Sequence, residues 1–574
     1  MNKLLPLPEA LARFVQPGMH LCFASTPSRS NAAIREIARQ FRGKQPDFTL
    51  SATGFHSLLH VLGVLRLGRR YIGCFFGDNY PSPRANRLYG ELLSEGYELE
   101  HWSLWSYVSA LAAGAFGQPF AFTRSLLGTS LGAALSERGK LFEVPDPSDP
   151  DRRLGLVRAL SPDVTFLHAP VGDAHGNIAF SPPYGEAFYG ALAAKHGVVV
   201  TVERVVPSDV LGTLPHFVSL PAHRVLAVCE EPFGAHPQPL HVAPAELRAL
   251  EPGYADDYAA YQRWRTMSQD PQAFAAFSQQ VLDAPDGAAA YRSFIGRPRF
   301  EALRRVRPSV PPPAALTAEQ LEPADDLLLL AGRALVRRIA AGQHRAMLAG
   351  IGQAFAACRF AKLLLADRRD DREPELELMI ETGFAGIDAL AADAFLLSRE
   401  NVASAARLTS IESMLGALCC GGVTSCIGVI GAAEVDLNGN VNSTEVGGEL
   451  LVGAGGAPDI AAGAREVMVL TRADPRRLVG KVSYITSRGD NVRAIVTEAC
   501  VFERNGPGEP WLVRDVVPNR ARALKDLLKT SDFRFAMPGP PPIAPPPTAR
   551  ELELLARLRF TAEPSAKATE VAHG

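Results

Sequence analysis

The sequence lacks the features that define several protein classes. Its eight cysteines are scattered through apolar runs, with no Cys-x-x-Cys pair and no cysteine–histidine spacing typical of zinc sites. We therefore expect reduced, buried cysteines, a cytoplasmic protein and no metal site. No run of about 18 apolar residues suggests a membrane span, and the N-terminus has neither the apolar core nor the cleavage site of a signal peptide. The formal net charge of −2 leaves no basic field for nucleic acid or an anionic membrane.

The chain is long enough for more than one hydrophobic core. It has 574 residues, of which 47% are hydrophobic, so two or more domains are expected. Two proline-rich stretches, at 308–314 and 538–547, favour extended linkers because dense proline disrupts helices and central strands. The predicted organisation is a first domain over 1–307, a linker over 308–322, a second domain over 323–535 and a proline-rich C-terminal tail over 536–574 with one helical segment.

In both halves, short apolar runs alternate with amphipathic helical runs. His20–Ala24 and Leu376–Ile380 are typical of buried strands, whereas Asn31–Phe41 and Gly352–Ala366 have helical spacing. This alternation predicts an α/β protein with two similar, open, mostly parallel sheets. Ligands of such sheets bind beyond the carboxyl ends of the strands, so residues that follow predicted strands are the first candidates for a site.

Two predicted strand ends in the second half carry suitable residues. The strand that ends at Ala349 runs into Gly350-Ile351-Gly352-Gln353, a glycine turn that can aim backbone N–H groups at a ligand, although a plain strand–helix turn has the same pattern. The strand Leu376–Ile380 ends on Glu381-Thr382-Gly383. Glu381 would lie at the mouth of the crevice, although on spacing alone a solvated loop carboxylate is the simpler interpretation.

Two glycine-bearing loops follow further along the chain. One starts at Gly431-Ala432, and the other is Gly453-Ala454-Gly455-Gly456, just ahead of a short helical candidate. Such loops can hold a phosphate or a thioester carbonyl through backbone N–H groups. Neither loop matches a Walker sequence or a dinucleotide-binding fingerprint.

Taken together, these segments resemble the β subunit of glutaconate CoA-transferase and its relatives in family I of the CoA-transferases. The matching segments stand in the family's order: GIG at 350–352, ETG at 381–383, GAAEVDLNGNVNST at 431–444, GAGGAPDIA at 453–461 and KVSYITSRG at 481–489. The first half resembles the α subunit, in GQPFAFTRSLLGTSL at 117–131, PDVTFLHAPVGDAHGNIAF at 162–180, VVVTVERVV at 198–206 and FGAHPQPLH at 233–241. The chain thus looks like an α-like and a β-like half fused into one protein.

The resemblance implies a catalytic role for Glu381, which occupies the position of the family's nucleophilic glutamate. Its carboxylate would attack an acyl-CoA thioester, become a glutamyl-CoA thioester, and pass CoA to an acceptor carboxylic acid. Thr382 replaces the family's serine or asparagine. The residues that the resemblance places in contact with CoA or substrate are Gly350, Gly352, Gln353, Thr382, Gly383, Gly431, Ala432, Gly453, Gly455 and Gly456. Backbone N–H groups near Gly431-Ala432 and Gly455-Gly456 are candidates for stabilising the oxyanion.

The first half departs from the family at the loop after its first strand. The family's glycines are absent there, and Ser25 and Thr26 are the candidates for lining the pocket. Glu186 follows the D-x-x-G-N turn of the first half and is a second candidate carboxylate, although a surface acid at a helix N-terminus is the favoured interpretation. His168, at the end of an apolar strand, is expected in the core or the pocket wall.

Several functions stay open at this point. CoA transfer is the leading hypothesis, with CoA as substrate and no permanently bound cofactor. An acyl-CoA hydrolase or a carbon–carbon hydrolase on the same fold is the alternative. A decarboxylase and a non-catalytic CoA-binding protein are disfavoured, because Glu381 is retained. A second carboxylate on the acyl group would call for an arginine or lysine clamp, and Arg124, Arg204 and Arg488 are candidates. A homodimer or higher homo-oligomer is expected.

Overall fold

The computed structural model of the chain describes residues 2–305, 316–367, 376–537, 539–540 and 542–562. Part of the predicted linker lies outside these residues, and the first proline-rich stretch lies outside them completely. The linker and the domain limits therefore stay predictions. None of the helices in the described part of the chain combines the length and the apolar character that a membrane crossing requires.

Apolar runs of the first half build a sheet that has eight strands within the described residues. Seven are mutually parallel, and the short strand Ile178–Ala179 pairs antiparallel with one of them. All nine residues of Val164–Gly172 are buried, as expected for a parallel strand covered on both faces. In sheet order the seven parallel strands are Val225–Glu230, Gly197–Val205, Val164–Gly172, His20–Phe23, Phe48–Ser51, Gly68–Gly73 and Glu98–His101.

The helices of the first half cover this sheet. Asn31–Phe41 has the bounds predicted from its spacing and packs into the main hydrophobic cluster of this half through Ile34 and Ile37. Phe120–Thr123, Leu141–Asp146 and Asp149–Arg158 form a separate antiparallel sheet. The remaining α-helices are Leu7–Phe14, His60–Val64, Arg87–Ser94, Leu104–Ala115, Ser130–Glu137, Ala187–Ala193, Ser208–Gly212, Ala245–Leu250, Tyr258–Gln269, Pro271–Phe277, Gly287–Ile295 and Arg297–Arg304.

The second half repeats the plan with a sheet of ten strands in the described residues. Its centre is parallel and its flanks contain antiparallel pairs. The α/β class with two mostly parallel sheets is thereby confirmed. In order the strands are Arg407–Leu408, Phe384–Ala385, Glu377–Ile380, Ala346–Ala349, Cys426–Gly431, Glu466–Leu470, Val492–Val496, Val501–Glu503, Trp511–Arg514 and Phe535–Ala536.

The C-terminal helix packs onto the second half. It spans Ala549–Ala562, where the sequence predicts a helical segment, and it buries Leu554 and Leu555. Arg333 holds it through an ion pair with Glu551 at 2.7 Å. The other α-helices of this half are Pro323–Gly342, Gln353–Ala366, Arg399–Ser404, Ala457–Gly463 and Ala521–Thr530.

The two halves are joined by a shared core. One hydrophobic cluster contains Cys74 and Trp102 of the first half together with Leu415 and Ile460 of the second half. Backbone hydrogen bonds also cross between the halves, for example from Phe76 N to Val452 O at 2.6 Å. This junction brings the carboxyl-end loops of both sheets to one place.

Candidate active site

Three neighbouring parallel strands of the second half place Glu381 at the edge of the sheet. Ala349 is in register with Ile380 on one side and Val429 on the other. Glu381, the residue after Ile380, therefore lies beside Gly350, the residue after Ala349. The N–H of Gly350 donates to Val429 O at 2.9 Å. This is the strand-end position expected from the sequence.

The Glu381 carboxylate is buried against the loop that contains Gly456. The residue is 8% exposed, so the alternative of a solvated loop carboxylate is wrong. A Cβ atom at position 456 would overlap Glu381 Oε2, so this approach requires glycine. Burial, and to a smaller extent the negative charge of Asp459, raise the pKa of Glu381 to about 7, while hydrogen bonding by the Gly456 backbone opposes the rise.

The turn after Glu381 is tied to the segment 409–411. Gly383 has φ +118°, and a Cβ there would lie 2.8 Å from Ser410 Cα, so only glycine fits. Thr409 N donates to Gly383 O at 2.6 Å. Thr382 is 3% exposed, and its Oγ1 has no hydrogen-bond partner among the described residues.

The loop 453–456 docks onto the first half. Gly455 N donates to Cys74 O at 2.8 Å, and Leu104 N donates to Gly455 O at 3.0 Å. Gly453, at φ +92°, would place a Cβ 2.9 Å from Cys74 O. Asp459, at the start of the following helix, is fully buried and accepts from Ser103 Oγ and Trp105 N, each at 2.8 Å.

These contacts change the set of oxyanion candidates. The Gly455 N–H is used in the bond to Cys74, and the Ala432 N–H donates to Leu470 O at 3.0 Å. Gly431 is exposed, and a Cβ there would meet nothing within 4 Å. Of the four residues in these two candidate pairs, Gly456 is the one whose backbone acts directly on Glu381.

Gly352 and Gln353 start the helix Gln353–Ala366 near the first half. Gly352 has φ +76°, and a Cβ there would lie 3.7 Å from Pro83 Cδ. Gln353, its first residue, is exposed. This first turn has free N–H groups, and the contact of Gly352 and Gln353 with CoA or substrate stays a prediction.

In the first half, Ser25 and Thr26 follow the strand His20–Phe23 and are both buried. Ser25 adopts φ +69°, a left-handed conformation, although it is not glycine. Thr26 donates to Glu186 Oε2 through its N–H at 3.1 Å and its hydroxyl at 2.7 Å. The hydroxyl of Thr53, after the next strand, lies 2.6 Å from that of Thr26.

Glu186 is 1% exposed, so its interpretation as a surface acid is wrong. The residue does precede the helix Ala187–Ala193, but its side chain packs against the Thr26 loop. Burial raises its pKa, and its Oε1 has no partner in the described part of the chain. Its turn also reaches the second half, because Tyr184 N donates to Thr409 O at 2.8 Å and Ile411 N donates to Gly185 O at 3.3 Å.

Cys74 lies close enough to three buried acids for their charges to act on its thiol. Burial raises the pKa of its thiol, and the charges of Asp459, Glu186 and Glu381 raise it further. The three acids are therefore all near Cys74, at the junction of the halves. The sequence pattern singled out only Glu381 as the reactive group, since Asp459 and Glu186 owe their burial to contacts with distant segments.

The remaining candidates are one histidine and three arginines. His168 is buried, lies 2.9 Å from both Thr201 Oγ1 and Glu203 Oε1, and lines a small cavity together with Ser25, in agreement with its expected place in the core or the pocket wall. Arg124 donates to Cys420 O, Arg204 donates to Leu250 O at 3.0 Å, and Arg488 pairs with Asp490. Among the described residues, the partners of these three arginines are not the residues that surround Glu381. The described residues contain no cluster of three or more potential metal ligands.

Comparison with known proteins identifies relatives for both halves of the fold. The family model described as Coenzyme A transferase matches residues 6–231 and 397–521, and Glu381 lies between these ranges. One of the two subunits of the 3-oxoadipate CoA-transferase from Pseudomonas knackmussii is 30% identical over 288 residues, 49% of this chain and 94% of that protein. One subunit of the glutaconate CoA-transferase from Acidaminococcus fermentans is 26% identical over 260 residues, 41% of this chain and 77% of that protein.

A solved structure shares the architecture of the whole chain. It is an acyl-CoA transferase of E. coli O157:H7 in a thioester complex with CoA. The TM-score is 0.65 at 16% identity, with 96% of each chain covered. The likeness shows that both halves can occur together in one chain of this fold.

Proposed function

We propose that in this chain, which belongs to the coenzyme A transferase family, Glu381 is the nucleophile through which CoA passes from an acyl-CoA to a carboxylic acid. Membership of the family makes the protein an acyl-CoA:carboxylate CoA-transferase with CoA as a substrate. The proposal adds the covalent route and the residue. The observation that carries it is the buried carboxylate of Glu381, pressed against Gly456 where the two halves meet.

The proposed reaction has two balanced halves. The Glu381 carboxylate attacks the thioester carbonyl, the C–S bond breaks, and a mixed anhydride and CoA thiolate form. The thiolate then attacks the glutamyl carbonyl, which releases the acyl carboxylate and leaves a glutamyl-CoA thioester. An acceptor carboxylate reverses both steps and leaves as a new acyl-CoA, with Glu381 regenerated.

The surroundings of Glu381 suit this role. A carboxylate is a weak nucleophile, so positioning has to supply much of the acceleration, on the order of 7–11 kcal/mol for well-oriented groups. The lack of a side chain at Gly456 lets Oε2 of Glu381 approach the loop closely, and the backbone of Gly456 forms a hydrogen bond to the carboxylate that helps to position it. Burial also removes water that would stabilise the carboxylate, and the pKa of about 7 leaves a large ionised fraction at neutral pH.

The E. coli enzyme of the same fold forms a thioester complex with CoA, and this supports the covalent route. We also propose that the enzyme is of the glutaconate CoA-transferase type, and that its two halves correspond to the α and β subunits of that enzyme. A homodimer or larger homo-oligomer and a cytoplasmic location also stay predictions. Light scattering of the purified protein tests the first of them.

Replacement of Glu381 tests the proposal. In an assay that measures CoA exchange between an acyl-CoA and acetate, we expect Glu381→Ala to lower kcat by at least about 10³-fold, because the covalent intermediate is lost. The matched control is Glu377→Gln, since Glu377 starts the same strand and pairs with Arg407 away from the site. Near wild-type exchange in Glu381→Ala would refute the proposal. Release of free CoA without an acceptor, at the rate of exchange, would favour the hydrolase alternative.

A further inference from the structure

The first half contains a cleft that the proposed reaction does not use. Its volume is about 430 Å³, within the range of small-molecule sites. The helices Leu7–Phe14, Asn31–Phe41 and Gly287–Ile295 line it, together with the residues at the end of the strand Val225–Glu230. This strand is five positions from Gly68–Gly73 in the sheet, which is about 24 Å at the usual spacing of strands. Because Gly68–Gly73 leads to the reaction centre, the cleft is a separate place in the molecule.

A buried carboxylate on this cleft has no partner. Glu231 directly follows the strand and is 8% exposed. Its carboxylate forms no hydrogen bond or ion pair with any described residue. Burial of a carboxylate without donors is costly, so an unpaired one on the wall of a cleft points to a ligand.

A buried guanidinium lines the same cleft. Arg35 is 8% exposed, its Cζ lies 3.7 Å from the centre of the Tyr291 ring, and its Nη1 donates to His236 O at 3.5 Å. The charge of Arg35 acts on the pKa of Glu231, so the two groups are neighbours, yet no ion pair joins them within the described ranges. Most of the five N–H donors of this guanidinium therefore stay available.

The three other acids of the cleft are already engaged. Glu36 pairs with Arg39 at 2.7 Å, whereas Glu230 and Asp286 each accept from a backbone N–H at 2.9 Å. Arg292 is exposed and has no ion pair in the described part of the chain. Besides its paired groups, the cleft thus offers one carboxylate and two guanidinium groups to a ligand.

The remainder of the wall is largely apolar. Leu7, Val281 and Leu282 are buried side chains that border the cleft. A ligand that fits the whole cleft therefore combines a positive group, a negative group and a short apolar part.

We propose that this cleft binds a small zwitterion, an α-amino acid with an apolar side chain. Its ammonium group binds the Glu231 carboxylate, its carboxylate binds Arg35 and Arg292, and its side chain lies against the apolar wall. A simple carboxylate would leave Glu231 unpaired, and a simple amine would leave the guanidinium groups unpaired. The inference does not depend on the reaction proposed for Glu381.

Isothermal titration of the purified protein with L-valine, L-leucine, L-isoleucine, L-methionine and L-phenylalanine tests the inference. Burial raises the pKa of Glu231 to about 7, so a measurement at pH 8 keeps its carboxylate mostly ionised. We expect at least one of these amino acids to bind with a Kd of about 1 mM or below. Glu231→Gln should weaken that binding by about tenfold or more, because a hydrogen bond between charged groups is lost. The matched control is Glu246→Gln, since Glu246 is exposed on the helix Ala245–Leu250 outside the cleft.

Absence of binding by all five amino acids would overturn the inference, as would equal affinity in wild type and a folded Glu231→Gln variant. Glu381→Ala should bind as wild type does, and a loss of binding there would place the amino acid at the reaction centre instead. If Glu231→Gln does not fold, wild type alone decides the matter through analogues that lack one charge. For L-leucine these are 4-methylpentanoate and 3-methylbutylamine, each expected to bind at least about tenfold more weakly. An analogue that binds as well as its amino acid would contradict the inference.

Discussion

The two halves bring opposite kinds of loop to the same site. The second half presents glycines, and at Gly383 and Gly456 the absence of a side chain is required by the contacts of the turn and of Glu381. The first half presents side chains instead, with Thr26, Glu186 and Arg29 buried after its strands. From this difference we expect the second half to carry out the reaction and the first half to recognise the acyl group. Variants on the two sides should therefore affect kcat and KM differently.

The largest effect expected from a change that leaves the Glu381 side chain intact is that of Gly456→Ala. The added Cβ would overlap Glu381 Oε2 and displace the carboxylate. We expect kcat to fall by about 10²-fold, because small misplacements of a reacting group cost this much. Steady-state kinetics measure the loss, with Gly90→Ala as control, since a Cβ at Gly90 meets nothing within 4 Å. A normal kcat in Gly456→Ala would contradict the inference that the second half positions the Glu381 carboxylate precisely.

A smaller effect of the other kind is expected from Thr26→Val. This change keeps the shape of the side chain but removes the hydroxyl that donates to Glu186 Oε2. The acyl-CoA KM should rise by about tenfold while kcat stays near wild type, because a buried hydrogen bond to a charged or acidic group is lost away from the reacting atoms. Thr266→Val, which removes an exposed helix-surface bond, is the control. If kcat falls and KM does not change, the division between the halves is contradicted.

The smallest expected effect is a shift in the pH dependence of kcat/KM. The negative charge of Asp459 raises the pKa of Glu381, and burial raises the pKa of Asp459 itself to about 6. Asp459→Asn removes this charge and keeps an acceptor for Trp105 N, so the pKa of Glu381 falls. The rising limb of kcat/KM against pH, which reports ionisation of Glu381 in the free enzyme, should move to lower pH. A limb that stays in place or moves upward would show that Asp459 does not act on the nucleophile.

Local sequence patterns predicted the parts of the molecule that depend on local structure. The helix Asn31–Phe41 and the strand that ends before Glu381 follow from the spacing of their apolar residues, and the α/β class follows from their alternation. The strand-end position of Glu381 could be predicted in the same way. These features need no knowledge of distant contacts.

The rest of the site depends on contacts between distant segments. Glu186 is followed by a helix in the sequence, a pattern equally typical of surface acids, and its burial goes together with packing against Thr26, 160 positions away. The burial of Arg29 gives no signal in the sequence, because a buried and an exposed arginine look alike there. Asp459 meets Ser103 across the junction of the halves, and the sequence did not predict that contact.

Direct detection of the covalent intermediate tests the central claim. Wild type is mixed with an acyl-CoA in the absence of an acceptor, quenched and digested, and the peptides are searched by mass spectrometry for one that carries CoA. We predict a CoA adduct on the peptide that contains Glu381, its absence in Glu381→Gln, and its discharge as a new acyl-CoA when an acceptor carboxylate is added. An enzyme that exchanges CoA without this adduct, or with the adduct on another residue, would contradict the account.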